Sequence, residues 1–365
     1  MTRALGAALL LSGFWLEAHA MNVDGYMLTS TAELKDEGYA GRIETFWREH
    51  GRTGSFTGAR GLAIAFVTFV QPDRAGEKGA IVISSGRTEA YLKYKELVFD
   101  LWNNGYSVYL HDHRGQGLSA REAAVADHPQ KGYVEDFADY VADLRTFVTR
   151  HVVPGQHRNH FLLAHSMGGA IASLYLEEDA APFQAAALSS PMHGVQGLFH
   201  LDGEIFTGRV ARVLVALGQA TGYTLFGHDF RPKKFEDNEY TSSPTRYQRF
   251  LDEYAANEAV RLGSPTHGWY ARACVAARRA RQDAARIPSQ VPVRLFQAGD
   301  DEIVLAGAQR EFCANLTKSH PEGCDGEGGG PIVIAGAKHE LFIEADDKRN
   351  RVLTTILKFF EGRSP

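Results

Sequence analysis

Phe161-Leu-Leu-Ala-His-Ser-Met-Gly-Gly169 decides how this chain is read. An apolar run suited to a buried strand ends in small residues with a serine at the tip, and Ala170-Ile-Ala-Ser-Leu-Tyr-Leu176 after it suits a helix. A turn that sharp leaves almost no room for side chains two positions before and two after the serine, here Ala164 and Gly168. Anything larger would collide with the neighbouring strand. Ser166 would then stand exposed at the top of a sheet. Glycine is usual at the first small position, so Ala164 departs from the pattern. The alternative for Ser166 is a plain helix N-cap, which serine fills for hydrogen-bonding reasons unrelated to chemistry.

A serine hydroxyl is a poor nucleophile at neutral pH and needs a general base within hydrogen-bond reach, for which imidazole has a suitable pKa. A carboxylate must then hold that imidazole in one tautomer and stabilise its cation. Downstream, Val291-Pro-Val-Arg-Leu-Phe-Gln-Ala-Gly-Asp-Asp-Glu-Ile-Val304 reads as a buried strand running into a turn loaded with carboxylates. Further on, Pro331-Ile-Val-Ile-Ala-Gly-Ala-Lys-His-Glu340 reads as another strand whose loop delivers His339. A lone histidine in a loop is more often a surface or packing residue, and the chain has 15. Position after the last strand is what singles out His339.

The rest of the chain supports a wound sheet. Segments rich in Val, Ile and Phe at 61–70, 80–85, 106–111, 159–165, 185–190, 292–298 and 331–335 alternate, from the second onward, with helical stretches at 90–103, 134–151, 168–178 and 348–361. That alternation predicts an α/β fold with a mostly parallel, doubly wound sheet. Residues 40–70 read as a leading antiparallel hairpin at one edge. Between Met192 and Pro288 the alternation stops, and apolar repeats such as Val210, Val213, Leu214 and Leu217 predict helices. The expected organisation is a core over 21–191 and 289–365 with a helical cap inserted at 192–288. Leu198, Phe199, Leu201 and Phe206 either form the cap's own core, line an acyl-chain tunnel or touch a membrane, and a helical apolar stripe is first of all packing.

Three stretches together resemble the bacterial lysophospholipase branch of the monoacylglycerol-lipase-like, S33-type α/β-hydrolases: Ala80 to Leu97, His111-Asp-His-Arg-Gly-Gln-Gly-Leu-Ser119 and Leu163 to Ile171. Ser264-Pro-Thr-His-Gly-Trp-Tyr270 and Ala335-Gly-Ala-Lys-His-Glu-Leu-Phe342 are similar to the same family. Such folds place their triad in the order serine, acid, histidine. The resemblance implies Ser166 as nucleophile, Asp301 as acid and His339 as base. Asp301 is preferred over Asp300 and Glu302 because the acid of these folds is commonly followed by one variable residue and two aliphatics, here Glu302-Ile303-Val304; a shift by one residue is the alternative. The loop after the first core strand usually reads His-Gly-x-Gly; here it is Ser85-Gly86-Arg87-Thr88. The backbone N–H groups of Arg87 and Met167 would form the oxyanion hole, and neither depends on the missing histidine.

The implied activity is hydrolysis of the acyl ester of lysophospholipids through an acyl-serine, with no cofactor or metal. A monoacylglycerol lipase, a general carboxylesterase and a non-catalytic lipid-binding member of the fold are the alternatives. The expected partners are a monoacyl lipid substrate and a membrane surface touched by the cap. The Arg87 guanidinium is either a solvated surface charge or a contact for a lipid phosphate.

Charge is balanced, with 39 basic and 44 acidic side chains, and nothing invites nucleic acid. His111 and His113 lack further ligands at metal spacing, and the glycines of Gly115-Gln-Gly117 are out of phase for a nucleotide loop. Arg3, the apolar stretch Ala4 to Leu16 and the small-x-small Ala18-His-Ala20 predict a signal peptide over 1–20 and an exported protein. An uncleaved membrane-associated N-terminal segment is the alternative. Among three cysteines in an oxidising compartment, Cys313 and Cys324 flank a short polar loop and would pair, leaving Cys274 in an apolar helix as a buried thiol.

Overall fold

Eight strands form the central sheet of the computed structural model, which describes residues 21–197, 203–204 and 207–363. A small hairpin of β1 (Met21–Val23) and β2 (Tyr26–Leu28) and the helices α1 (Thr31–Lys35) and α2 (Glu37–His50) precede it. The chain continues through β3 (Arg52–Thr57), β4 (Ala63–Phe69), β5 (Gly79–Ser84), α3 (Lys95–Asn103), β6 (Tyr106–His111), α4 (Ala138–Phe147), β7 (His160–His165), α5 (Met167–Glu178) and β8 (Ala185–Ser189). There follow α6 (Thr207–Ala216), α7 (Pro244–Ala256), α8 (His267–Gln282), β9 (Val293–Ala298), α9 (Ala306–Leu316), β10 (Ile332–Ile334) and α10 (Asp346–Glu361). The sheet order is β10-β9-β8-β7-β5-β6-β4-β3, parallel from β10 to β6 and antiparallel where β4 meets β6 and β3. This is the α/β-hydrolase fold.

Strand periodicity divides the apolar residues between two faces. Ile81, Ile83, Phe161, Leu163 and Phe296 pack with Leu97 and Leu101 of α3 and Val352, Ile356 and Phe360 of α10. Val82, Leu162, Ala164, Leu188 and Leu295 pack on the other side with Leu144 and Phe147 of α4, Ile171 and Leu174 of α5 and Ala273 of α8. The core strands are covered on both faces, which is why they read as continuous apolar runs.

Two expectations needed correction. Residues 37–50 are helical, because Tyr39, Ile43 and Phe46 recur at helical spacing and bury one stripe; the antiparallel hairpin is confined to 52–69. The helix expected over 134–151 begins only at Ala138 and ends in a π-helical turn over Val148–Val152. The small β1–β2 hairpin had no counterpart in the pattern.

Between β8 and β9, which pair directly, the chain forms α6, α7 and α8. Buried Arg246 of α7 ties this region to the core, pairing with Glu96 at 2.9 Å and Asp346 at 2.7 Å and donating to Thr29 O at 3.0 Å. Leu198, Phe199, Leu201 and Phe206 lie outside the described residues, as do residues 1–20. Val213 is 59% and Leu217 69% exposed, so that part of the stripe does not form a core. No helix among the described residues is long and apolar enough to cross a membrane. Cys313 and Cys324 are joined by a disulfide, and Cys274 is buried outside it.

Candidate active site

Ser166 occupies the junction of β7 and α5 with φ 52° and ψ −120°, a conformation that side chains rarely adopt. The turn closes tightly against the sheet. A Cβ on Gly168 would fall 2.1 Å from Ser84 O and 2.4 Å from Ser85 O, both backbone atoms that cannot move aside cheaply, so only glycine fits. Although Ser166 is the N-cap residue of α5, its side chain makes no capping bond. Its Oγ lies 2.8 Å from His339 Nε2. That geometry separates the two readings of Ser166, since a capping serine would turn its oxygen to the helix amides.

His339 is delivered by the loop after β10, and its Nδ1 lies 2.8 Å from Asp301 Oδ2. The other carboxylate oxygen, Oδ1, accepts the N–H groups of Ile303 at 2.9 Å and Val304 at 3.0 Å, which locks the acid in place. Neighbouring Asp300 is exposed and uses its backbone N–H on Ala337 O at 2.9 Å. Burial disfavours the charged imidazole, but the Asp301 carboxylate outweighs it and holds the His339 pKa above its ordinary value. Burial likewise works against the Asp301 anion, yet His339 and the two N–H donors keep that carboxyl below its ordinary range. A hydroxyl, an imidazole and a carboxylate in this chain can pass a proton from oxygen to nitrogen while the acid stays ionised.

A cavity of about 470 Å³ opens over Ser166. Met192, Val195, Trp269, Tyr270, Ile303 and Val304 give it apolar walls. Arg87 and Thr88 come from the loop after β5, and Met167, the first residue of α5, follows the serine directly. The first amides of a helix lack intrahelical acceptors, so Met167 N–H is available to a ligand atom. The Gly86 N–H donates to the Glu89 carboxylate, and Gln116 Nε2 donates to Gly86 O at 2.7 Å and Glu89 O at 2.8 Å, fixing the path of the Arg87 loop. Of the five residues singled out from the sequence, Ser166, His339 and Arg87 line this cavity, Asp301 is bonded to His339, and Met167 follows the serine.

Glu89, Lys93, Tyr94, His165 and Glu340 were not singled out, yet they form a buried polar cluster at the cavity wall. Lys93 Nζ bonds Glu89 at 2.6 Å and also Glu340, while the Tyr94 hydroxyl donates to Glu89 at 2.5 Å. Glu89, His165 and Glu340 bring ligand atoms within 4.8 Å of one another. The ammonium of Lys93 already holds both carboxylates, so the donor set does not call for a metal. The only sequence signal was the Glu89–Lys93 spacing of four, which is common on solvated helix faces. His111 and His113 are fully buried, and Asp112 accepts the N–H groups of Tyr91 at 2.6 Å and Leu118 at 2.7 Å. Arg114 pairs with Asp143 at 2.7 Å. This motif pins loops behind the site.

The family described as Serine aminopeptidase, S33 matches residues 75–346. The chain is 36% identical over 328 residues to Lysophospholipase L2 of Escherichia coli (strain K12), covering 88% of this chain and 90% of the relative. It is 31% identical over 313 residues to Probable lysophospholipase L2 of Haemophilus influenzae, covering 86% and 93%. Among solved structures, a monoglyceride lipase from Saccharomyces cerevisiae in complex with a substrate analogue superposes with a TM-score of 0.65 at 17% identity, over 86% of this chain and 95% of that one.

Proposed function

Because the chain belongs to the serine aminopeptidase S33 family, we propose that it hydrolyses the acyl ester of lysophospholipids through an acyl-serine intermediate. The observation that carries the chemistry is the pair of 2.8 Å contacts that His339 makes to Ser166 and Asp301. The substrate class rests on the names of the relatives that match along nearly the whole chain.

In this reading Ser166, His339 and Asp301 are a catalytic triad. The Ser166 hydroxyl gives its proton to His339 Nε2 as Oγ attacks the ester carbonyl, and the Nδ1–H donates to Asp301, which stabilises the imidazolium. The backbone N–H groups of Arg87 and Met167 receive the oxyanion, a contribution of about 3 kcal/mol for each donor. His339 then protonates the departing glycerol oxygen, leaving an acyl-serine. Water, deprotonated by the same imidazole, attacks that ester and releases the fatty acid. The apolar walls of the cavity accept one acyl chain, each buried methylene contributing about 0.8 kcal/mol.

Residues 1–20 are read as an export signal, and the region of α6 to α8 as a cap that touches a lipid surface. Exposed Leu217, Leu225 and Phe226 support that contact, with Phe226 76% exposed. The test is fatty-acid release across lysophospholipid, monoacylglycerol, two-chain phospholipid and short nitrophenyl esters, with fluorophosphonate labelling of wild type and Ser166→Ala. Faster cleavage of monoacylglycerol than of lysophospholipid would favour a monoacylglycerol lipase. Activity confined to short esters would leave a general carboxylesterase, and no labelling at all a lipid-binding protein.

A further inference from the structure

A second chamber, of about 290 Å³, adjoins the Ser166 cavity and shares Arg87, Thr88, Tyr240 and Pro265 with it as a common wall. The two spaces differ in charge. Glu89, Glu239, Glu302 and Glu340 line the first and Arg231 and Lys233 the second, with Arg87 between them. Asp229 also faces the second chamber, but its carboxylate is engaged by the Tyr223 hydroxyl and by His128 at 2.8 Å.

Arg87 stands in the partition with its guanidinium 4.9 Å over the Trp269 ring and one terminal nitrogen donating to Gly263 O at 2.8 Å. Among the described residues it makes no ion pair with a carboxylate, its titratable surroundings being Tyr140, Tyr223 and Tyr240, and its Nε is buried without an acceptor. A largely buried cation with no matching anion is costly unless a ligand supplies one. On the far side, Arg231 likewise has no carboxylate within 4 Å among the described residues. Lys233 pairs with Glu239 at 3.0 Å, both side chains being more than a third exposed, and such a pair exchanges readily for a stronger anion.

We propose that this side chamber binds the phosphodiester of the substrate's head group, held between Arg87 in the partition and Arg231 and Lys233 on the outer wall. The assignment rests on the lysophospholipid reading and adds to it the means of telling a phosphate-bearing lipid from a neutral one. The glycerol backbone separates the scissile ester from the phosphate, so an ester at Ser166 leaves the phosphate to fall in one of the two spaces. The carboxylates of the first repel it. The second offers charge-assisted hydrogen bonds, which are shorter and stronger than neutral ones.

Arg231 and Lys233 are exposed, so the double variant Arg231→Ala/Lys233→Ala tests the chamber without disturbing the core. With full-length protein, kcat/KM is measured on lysophosphatidylcholine and on a monoacylglycerol with the same acyl chain. The ratio of the two is expected to fall about tenfold or more, mainly through KM. An equal loss on both substrates, or no loss, would overturn the proposal. A second readout does not need lipid turnover: glycerophosphocholine should inhibit hydrolysis of a short nitrophenyl ester competitively and better than glycerol, and the double variant should lose that inhibition. Inhibition no stronger than glycerol's, or inorganic phosphate acting as strongly as glycerophosphocholine, would remove the head-group assignment. Failure of wild type to cleave lysophosphatidylcholine while glycerophosphocholine still inhibits would sink the substrate reading and keep the chamber.

Discussion

Lys93 and Glu340 form an ion pair at the wall of the Ser166 cavity, and through it the loop of Gly86 and Arg87 is tied to the loop of His339. Glu89 completes the tie, since it holds Lys93 at 2.6 Å and accepts the Gly86 N–H. One ammonium therefore serves two buried carboxylates, and it anchors both the proposed oxyanion donor and the proposed base. Lys93→Met should leave Glu89 and Glu340 facing each other without a cation, costing about 3–5 kcal/mol of stability. Denaturant unfolding reads the loss. Ester turnover by the fraction still folded should fall as well, because the two loops lose their common anchor; full turnover per folded molecule would show that the tie serves stability alone.

Ser166→Ala and His339→Ala should each abolish ester hydrolysis without unfolding the chain, and Asp301→Asn should lower it by several orders of magnitude, because residues acting as a unit fail together. Asp300→Asn should leave turnover near wild type, since Asp301 holds the contact to His339. Turnover by Ser166→Ala after removal of contaminating esterases would end the acyl-serine mechanism.

Activity should rise with pH along the acid limb, because the base must be neutral, and its midpoint should lie above the ordinary histidine value of 6.5. The raised pKa comes from Asp301, so the residual activity of Asp301→Asn should titrate at lower pH. The stabilising contact between imidazolium and carboxylate has the opposite trend: it is present below the unfolded histidine pKa and is lost as pH rises through the folded one. A kcat/KM profile for both proteins checks the sign.

Glu177 is a buried carboxyl on α5 whose two oxygens have no hydrogen-bond partner among the described residues. Burial, reinforced by Asp283, raises its pKa to about 9. Folding above the unfolded carboxyl pKa therefore requires uptake of a proton, and stability falls as pH rises from there toward the folded value. Glu177→Gln should raise Tm by a few degrees at about pH 8 and by little at about pH 5. Thermal melts at the two pH values decide it; equal shifts would mean that the carboxyl does not titrate as described.

Thiol titration of unreduced, denatured protein should find one thiol per chain, from Cys274, with Cys313 and Cys324 closed in their disulfide. Loss of that bridge in Cys313→Ser/Cys324→Ser should cost about 3 kcal/mol, the chain-entropy value for a short loop. Three thiols in protein purified without reductant would argue against an oxidising compartment.

Much of this was legible because strand and turn chemistry are local. The run Phe161 to Gly169 specifies its own elbow through small residues and a serine, and the carboxylate turn at 300–302 follows its strand directly. Register is also local in effect: alternate apolar residues of β7 must face opposite layers whatever pairs with them. What was not legible is the pairing of charges across the chain. Lys93 and Glu340 stand 247 positions apart, and Arg246 meets Glu96 from 150 positions away, with no periodicity to announce either. Residues 37–50 show the opposite failure, a local helical stripe overlooked beside stronger strand signals.

The backbone of Ser166 sets foldability against use. A non-glycine residue held at φ 52° and ψ −120° costs on the order of 1–3 kcal/mol, and glycine would relieve most of it. The most stable residue for that turn is thus one that carries no hydroxyl. Under selection for folding alone, the position would drift to glycine and the protein would become a sturdier, inert shell. Keeping a serine there means accepting permanent tension in the main chain, and the dense packing of Gly168 against the ends of the sheet is what stops the turn from relaxing.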